Sequence, residues 1–176
     1  MKKTKKIYSF ILLFFFVGYA AAQNCTFSQD ETDKFTNTRT LHTKPVNVIE
    51  KAIKQKGVYT IKKIELQVKY ENNTSVLSLA LHFDLGLFVS TNSKLILLLS
   101  NGTKIELPCL RTMFSQKIGG MPVQNYDFGL TEENFEELLK SDIEDARFEY
   151  SVNTVDFTIS QKVSTSVFFN CINNNK

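Results

Sequence analysis

Apolar and polar positions alternate with a period of two in the middle of the chain. From Ile64 to Tyr70 every second side chain is apolar, and charged or amide side chains lie between them. A similar run from Leu77 to Leu85 places its large apolar residues on one face. Asn72-Asn73 separates the two runs, and asparagine pairs favour tight turns. The pattern predicts two antiparallel strands, each with one buried face and one face toward solvent.

The third predicted strand, Lys94–Leu99, is apolar at every position after the lysine. An uninterrupted apolar run is typical of a central strand that is covered on both faces. Asn101-Gly102 follows and predicts a tight hairpin, because both residue types tolerate the positive φ of a type I′ turn. The returning strand is predicted over Thr103–Cys109, with Pro108 near its end.

Three segments show the spacing of short helices. Val46–Lys56 has apolar residues at helical spacing and stops at Gly57, which predicts a short helix. Thr131 can cap a second helix, because the two glutamates that follow it complement the positive end of the helix dipole. A last helix is predicted from Gln161 to Ile172.

The remaining segments complete the predicted fold. Residues 34–43 are predicted to form a short edge strand, and residues 111–125 a loop around Gly119-Gly120. Arg147–Val152 pairs with Val155–Ile159 as a second hairpin. Together the elements predict an α+β fold, an antiparallel sheet meander with two or three short helices packed on one face and at the C-terminus.

The start of the chain has another pattern. Four lysines precede an apolar run from Ile7 to Val17, and Ala20-Ala21-Ala22 follows it. This is the order of a cleavable signal peptide, and the run is shorter than the roughly 20 apolar residues of a membrane-spanning helix. We predict a signal peptide over residues 1–22, a flexible N-terminal segment over 23–33 and a single globular domain over 34–176. The predicted location is the periplasm or the outside of the cell.

The charge balance depends on that leader. The whole chain has 21 basic and 18 acidic residues, and four of the lysines lie within residues 1–22, which leaves 17 basic residues against 18 acidic ones. The mature chain thus lacks the concentrated positive charge that binds phosphate backbones. We expect no nucleic-acid partner and no membrane span after cleavage. The expected partner is an unidentified protein or a component of the cell envelope.

Three cysteines remain after cleavage: Cys25, Cys109 and Cys171. Disulfides form in the compartments that exported chains reach, and an odd count leaves at least one thiol over. The preferred disulfide is Cys109–Cys171, which would tie the end of a central strand to the last helix. Pairing of Cys25 with either of the others is the alternative, and three unpaired thiols is a third arrangement that the sequence leaves open.

The sequence shows no assembled catalytic, metal or cofactor site. His42 and His82 are the two histidines, and no Gly-x-Ser-x-Gly nucleophile motif accompanies them. His82 and Asp84 share one face of a predicted strand, but a zinc site needs four converging ligands. We therefore predict no catalytic, cofactor-binding or metal-binding residues.

The layout resembles that of small, uncharacterised exported proteins of Gram-negative bacteria. The matching features are Asp33-Lys34-Phe35-Thr36, the hairpin at Asn101-Gly102, the helix over Leu130–Leu139 and the segment Phe148–Ile159. The resemblance implies export and a single domain, and it implies nothing about site residues.

The leading functional hypothesis is a non-enzymatic exported domain with a binding or structural role in the periplasm or at the cell surface. A carrier of small apolar ligands is the alternative, because many leucines and phenylalanines point inward and the length suits a barrel. A hydrolase with an unrecognised site is the second alternative. It requires His42 or His82 to lie in a concave site beside a carboxylate or a cysteine.

Overall fold

The computed structural model of the chain describes residues 25–55, 59–83, 92–118, 121–150 and 153–176. Eleven strands and two helices lie within these ranges. The signal peptide predicted over residues 1–22 lies outside them. In chain order the elements are β1 Phe27–Thr32, β2 Arg39–Thr43, β3 Val46–Asn47, β4 Ile53–Gln55, β5 Tyr59–Glu71, β6 Thr74–Phe83, β7 Lys94–Leu99, β8 Lys104–Ile118, β9 Met121–Gly129, α1 Glu132–Lys140, β10 Ile143–Tyr150, β11 Asn153–Thr158 and α2 Ser166–Asn173.

The strands form one antiparallel ladder in the order β1-β2-β5-β6-β9-β8-β7-β10-β11, and β3 and β4 pair with β5 beside β2. The long strand β8 divides this ladder into two sheets. Up to Pro108 it pairs with β7, and from Cys109 onward it pairs with β9, with an irregular register between Cys109 and Arg111. We call β1 to β6, β9 and the end of β8 the first sheet. The second sheet is the start of β8 with β7, β10 and β11.

The predicted α+β fold is wrong. The chain is mostly sheet and curls into an antiparallel half-barrel, not a meander with two or three helices packed on one face. Helix α1 packs against α2 through Phe135 and Phe169, whose ring centroids are 5.9 Å apart, and α2 contacts β2 and β5. Among the described residues, no helix has both the length and the apolar character that crossing a bilayer requires.

Strands β3 and β4 replace the helix that was predicted over Val46–Lys56. Strand β5 is thirteen residues long, and β2 pairs with it near its end, at Lys69 and Tyr70. The backbone groups along the rest of that edge need hydrogen-bond partners. Val46–Asn47 and Ile53–Gln55 supply them. Pairing with a strand that is distant in sequence therefore overrides a weak helical spacing.

The loop predicted over residues 111–125 is also wrong. Strand β8 continues to Ile118 and β9 begins at Met121, so paired strands flank residues 119–120. Pro122 lies in the segment predicted as a loop, and it is the second residue of β9. A proline near the start of a strand is compatible with sheet pairing.

The N-terminal segment contributes to the first sheet. Within residues 23–33, expected to be flexible, Phe27–Thr32 forms β1 and pairs with β2. This pairing makes β2 an interior strand, whereas the sequence predicted an edge strand over residues 34–43. Asp33 stabilises the turn between the two strands, because its carboxylate accepts hydrogen bonds from the backbone N–H groups of Phe35 and Thr36.

The preferred disulfide is wrong as well. Cys25 pairs with Cys171, with Cα atoms 5.4 Å apart, and Cys109 is a free thiol. The reason lies in the pairing of β1. That strand runs beside β2, which contacts α2, so the start of the domain lies next to its last helix. Cys109 lies instead where β8 passes from one sheet to the other.

Several local predictions are confirmed. Strands β5 and β6 pair around Asn72-Asn73, whose φ angles are 51° and 60°. Thr131 caps α1 by accepting a hydrogen bond from the Asn134 N–H at 3.2 Å. Strands β7 and β8 form the hairpin predicted at Asn101-Gly102, with positive φ at the glycine (85°) but not at the asparagine. The turn is therefore not the predicted type I′, which needs positive φ at both residues.

The C-terminal elements agree with the sequence in type and differ in extent. Strands β10 and β11 form the predicted second hairpin. The last helix begins at Ser166 and not at Gln161. Asp142 holds its first turn, because the carboxylate accepts a hydrogen bond from the Ser166 N–H at 2.8 Å.

The core lies between the two sheets. The ring of Phe148, in the second sheet, has its centroid 4.4 Å from that of Tyr126 and 6.2 Å from that of Phe128, both in the first sheet. Phe148 also stacks on Tyr150 at 5.3 Å. All four rings are buried. Because the inner faces are apolar, the outer faces of both sheets hold the groups that can meet a partner.

Candidate binding surface

The outer face of the second sheet is an ordered grid of side chains, in which three rungs cross β8, β7, β10 and β11. The successive rungs are Lys104, Leu98, Asp145 and Thr158; Glu106, Ile96, Arg147 and Asp156; and Pro108, Lys94, Glu149 and Thr154. Strand β7 thus places two apolar side chains in the middle of a polar face. We call this grid the outer face.

The two apolar side chains, Ile96 and Leu98, line a recess of about 480 Å³. Leu98 is 40% exposed, and Ile96 is partly exposed. Four charged side chains line the same recess: Lys104, Asp145, Arg147 and Asp156. Exposed apolar residues with a polar rim are typical of a protein interaction site.

Most charges of the outer face neutralise one another. Arg147 donates two hydrogen bonds to the Asp156 carboxylate, at 2.7 and 2.8 Å, and this contact lowers the pKa of Asp156. Lys94 lies 3.3 Å from the carboxylates of both Glu149 and Glu106, which raise the pKa of the lysine. These exposed pairs contribute little to stability, but they fix the position of the charges around the recess.

Asp145 is different from the other acidic residues of this face. Its carboxylate accepts a hydrogen bond from the Thr158 hydroxyl at 2.6 Å. The ion pairs of the outer face join other residues, so Asp145 has no basic partner within the described part of the chain. It lies directly opposite Leu98 in the ladder. A carboxylate beside an exposed leucine suits a lysine or arginine, whose apolar stem can cover the leucine.

The comparisons add no identity. Neither family models, nor curated proteins, nor solved structures give a match. The functional argument therefore rests on the chemistry of the described surfaces.

The sequence pattern missed this surface. Lys94–Leu99 was predicted to be covered on both faces, and only the inner half of that prediction is correct. Leu95, Leu97 and Leu99 are each 1% exposed, whereas Leu98 points outward and is accessible. The signal was present in the sequence, because Leu95–Leu99 is a run of five apolar residues and the buried face uses only three of them.

The first sheet holds a buried charge network, on the side of the sheet that points away from the core. Asp127 is 1% exposed and accepts hydrogen bonds from Lys69 Nζ at 3.1 Å and Arg111 Nε at 2.5 Å. Burial alone would raise the pKa of Asp127, but hydrogen bonds from Ser78 and Arg111 and the charge of Lys69 hold it below its usual value. Arg111 also reaches Glu71 at 3.5 Å. These groups satisfy one another, so the network is structural.

Each of the two histidines lies beside a glutamate. His42 Nε2 lies 2.6 Å from Glu71, and His82 Nε2 lies 2.6 Å from Glu65. Glu65 lines a recess of about 210 Å³, but His82 does not. The Cys109 thiol is far in sequence from both, and burial raises its pKa, which disfavours the reactive thiolate.

Metal-binding geometry is absent from the described residues. No group of three or more histidine, cysteine, aspartate or glutamate side chains there could hold a metal ion. Asp84, which the sequence placed on one strand face with His82, lies outside the described residues.

Proposed function

We propose that the mature chain is an exported, non-enzymatic binding domain that docks a polypeptide partner on the outer face of the second sheet. One observation carries the proposal: Leu98 and Ile96 lie accessible in a recess beside Asp145, a carboxylate with no basic partner among the described residues. Isolated exposed leucines are ordinary. Here the apolar pair, the recess and the unpaired carboxylate coincide.

The chemistry of the recess indicates the kind of partner. Burial of Leu98 and Ile96 would supply apolar contact area, and Asp145 would orient a lysine or arginine of the partner. The ion pairs around the recess form a polar rim, which is the usual arrangement of a protein interface. A polypeptide with a basic residue next to an apolar one matches both features.

Export has two independent lines of support. The first 22 residues have the order of a signal peptide. The Cys25–Cys171 disulfide is of the kind that forms and persists in oxidising compartments. A location in the periplasm or at the cell surface accords with both features.

The proposal is tested with a phage-displayed library of random twelve-residue peptides, selected on immobilised mature protein with its disulfide intact. We expect enriched peptides to combine a lysine or arginine with an apolar residue. Leu98→Ser should weaken their binding by about tenfold or more, because a buried leucine contributes about 1.5–3 kcal/mol. Asp145→Asn should weaken it by about fivefold through loss of the charge.

Leu110→Ser is the matched control, because Leu110 is a leucine on the first sheet and is 60% exposed. It should leave binding unchanged. If no peptide is enriched, or if enriched peptides bind Leu98→Ser as tightly as the unchanged protein, the outer face is not the binding surface.

The structure gives less support to the two alternatives. A carrier of apolar ligands needs space between its sheets, and the rings of Tyr126, Phe128 and Phe148 occupy that position. A hydrolase needs a histidine in a concave site beside a carboxylate or a cysteine. Each histidine here does lie beside a glutamate, but neither histidine lines the recess that its glutamate lines.

A further inference from the structure

We infer that the partner binds by strand addition: an extended peptide segment pairs with the edge of β11 that points away from β10, at Asp156 and Thr158, and extends the second sheet. This inference rests on the proposed function and names its binding mode. It starts from the position of β11, which ends the strand order and has β10 as its hydrogen-bonded neighbour.

The hydrogen-bond pattern shows which residues face the free edge. Beyond the end of β11, the Ile159 N–H donates to the Glu144 carbonyl at 2.7 Å. Bonded and non-bonded residue pairs alternate along an antiparallel ladder. The backbone groups of Phe157 therefore point to β10, and those of Asp156 and Thr158 point away from it.

The next residue in that alternation confirms the direction. Ser160 also points away from β10, and its N–H donates to the Val48 carbonyl at 2.8 Å. The chain after β3 thus closes one end of the free edge. Ser160 Oγ adds a second contact there, to Glu50 at 3.0 Å.

From Ser160 back toward Asp156, the edge of β11 separates from the segment that follows β3. A second recess, of about 490 Å³, lies between residues 49–53 on one side and Asp156–Gln161 on the other. No residue that the structure describes pairs with the outward backbone groups of Asp156 and Thr158 in this recess, so the ladder could continue there. The recess of the outer face shares Asp156, Phe157 and Thr158 with it. A strand along this edge therefore lies against both recesses.

Strand β11 also has few of the features that usually protect a sheet edge, and its one charged residue, Asp156, is paired with Arg147. Prolines, lysines and bulges are the common devices. Asn153–Thr158 contains neither residue type, and its register with β10 is unbroken. The strand at the other end of the order, β1, has an irregular register between Phe27 and Gln29 and carries Asp30 and Glu31. The two ends of the ladder therefore differ, and β11 is the one open to pairing.

The side chains around the edge specify an alternating peptide. On the inner side of an added strand lie Phe157, Ile49 and Ile53, which favour apolar residues. On its outer side lie Asp156 and Thr158, with Asp145 one strand further in. Strands are about 5 Å apart, so a long basic side chain on the added strand can reach toward Asp145. An extended segment that alternates apolar with basic or small polar residues fits these neighbours.

The test uses the peptides enriched from the random library and two variants of one residue. Thr158→Pro removes the outward N–H and places a proline ring at the edge, but the bonds between β11 and β10 do not use that N–H. Thr158→Val is the matched control: like the proline variant it loses the Thr158 hydroxyl, but it keeps the backbone N–H. We expect Thr158→Pro to bind the peptides at least about tenfold more weakly and Thr158→Val to bind them within about threefold of the unchanged protein.

Amide hydrogen exchange gives a second readout that needs no variant. In the free protein the amides of Asp156 and Thr158 should exchange rapidly and that of Phe157 slowly. Saturation with peptide should slow the exchange at Asp156 and Thr158. This measurement decides the matter if Thr158→Pro does not fold.

Each other outcome has one meaning. If peptides bind Thr158→Pro as tightly as Thr158→Val while Leu98→Ser still weakens them, strand addition is refuted and the outer face remains the binding surface. If neither change weakens binding, the proposed function fails too. If sedimentation shows a dimer that Thr158→Pro dissociates, the edge pairs with a second copy of the chain and the inferred partner is wrong.

Discussion

The buried network of the first sheet makes a sharp prediction about stability. Asp127 and Lys69 have side chains that are 1% and 9% exposed, and they lie 3.1 Å apart. Asp127→Asn keeps the size of the side chain and removes its charge. Lys69 then remains as a buried charge without its counter-ion. We expect the free energy of unfolding to fall by about 3–5 kcal/mol, the usual cost of breaking a buried pair from one side.

An exposed pair in the second sheet provides the control. Arg147 and Asp156 have side chains that are 53% and 60% exposed, and they are 2.7 Å apart. Asp156→Asn makes the same chemical change at an accessible site, so it should cost less than about 1 kcal/mol. Urea unfolding at pH 7 with the disulfide intact measures both values. Similar costs for the two variants would refute the argument that burial determines the effect.

Two further measurements separate this mechanism from a general loss of packing. Lys69→Met combined with Asp127→Leu removes both charges. We expect this double variant to be less destabilised than the single variant Asp127→Asn.

The second measurement is the pH dependence of stability. The folded-state pKa of Asp127 lies below its usual value, so its stabilising effect is complete above about pH 4 and is lost as the pH falls through the folded-state pKa. The difference between the unchanged protein and Asp127→Asn should therefore shrink below about pH 4. A difference that is constant down to pH 2.5 would contradict the assignment.

Three other predictions concern the disulfide, the core and a helix cap. Cys25→Ser should lower the free energy of unfolding by about 2–5 kcal/mol, because the disulfide that it removes joins residues 146 positions apart. Urea unfolding of the unchanged protein and the variant measures this difference. Alkylation of the unfolded, unreduced protein should find one reactive thiol, Cys109. Phe148→Ala should lower the free energy of unfolding by about 3–5 kcal/mol because the ring is fully buried. Phe35→Ser, at a position 86% exposed, should change the free energy of unfolding by less than about 0.5 kcal/mol. Thr131→Ala should cost about 1 kcal/mol through loss of the cap on α1, and an unchanged thermal midpoint would mean that the cap contributes nothing.

The fold was predictable from sequence where the contacts are local. Strands β5 and β6 are joined by Asn72-Asn73, and β7 and β8 by Asn101-Gly102, so a period of two and a turn pair within a few residues determine both hairpins. The misassigned segments depend on distant partners. Val46–Asn47 is a strand because β5 has an open edge, and that edge is created by residues that follow it in the chain. The local sequence pattern of Val46–Lys56 cannot indicate that a later strand needs a pairing partner.

The same distinction explains the disulfide. The sequence favoured Cys109 for pairing, because it ends a predicted central strand that a disulfide could tie to the last helix. The pair that forms joins Cys25 and Cys171, at opposite ends of the domain, and it depends on the addition of β1 to β2 and on the contact of β2 with α2. Polar residues in 23–33 gave no sign of a strand, because a strand near the edge of a sheet needs few apolar side chains.

The candidate surface depends on one ambiguity in the sequence. Apolar residues at every position of this strand after Lys94 can mean that both faces are covered by the same chain, or that one face is covered and the other binds a partner. The neighbours in the ladder decide between these meanings. Lys104, Glu106, Asp145 and Arg147 flank Ile96 and Leu98 on both sides, and charged residues of this kind do not line a core. If the proposed binding surface accounts for the apolar excess of β7, the loss of peptide binding in Leu98→Ser should occur with little loss of stability.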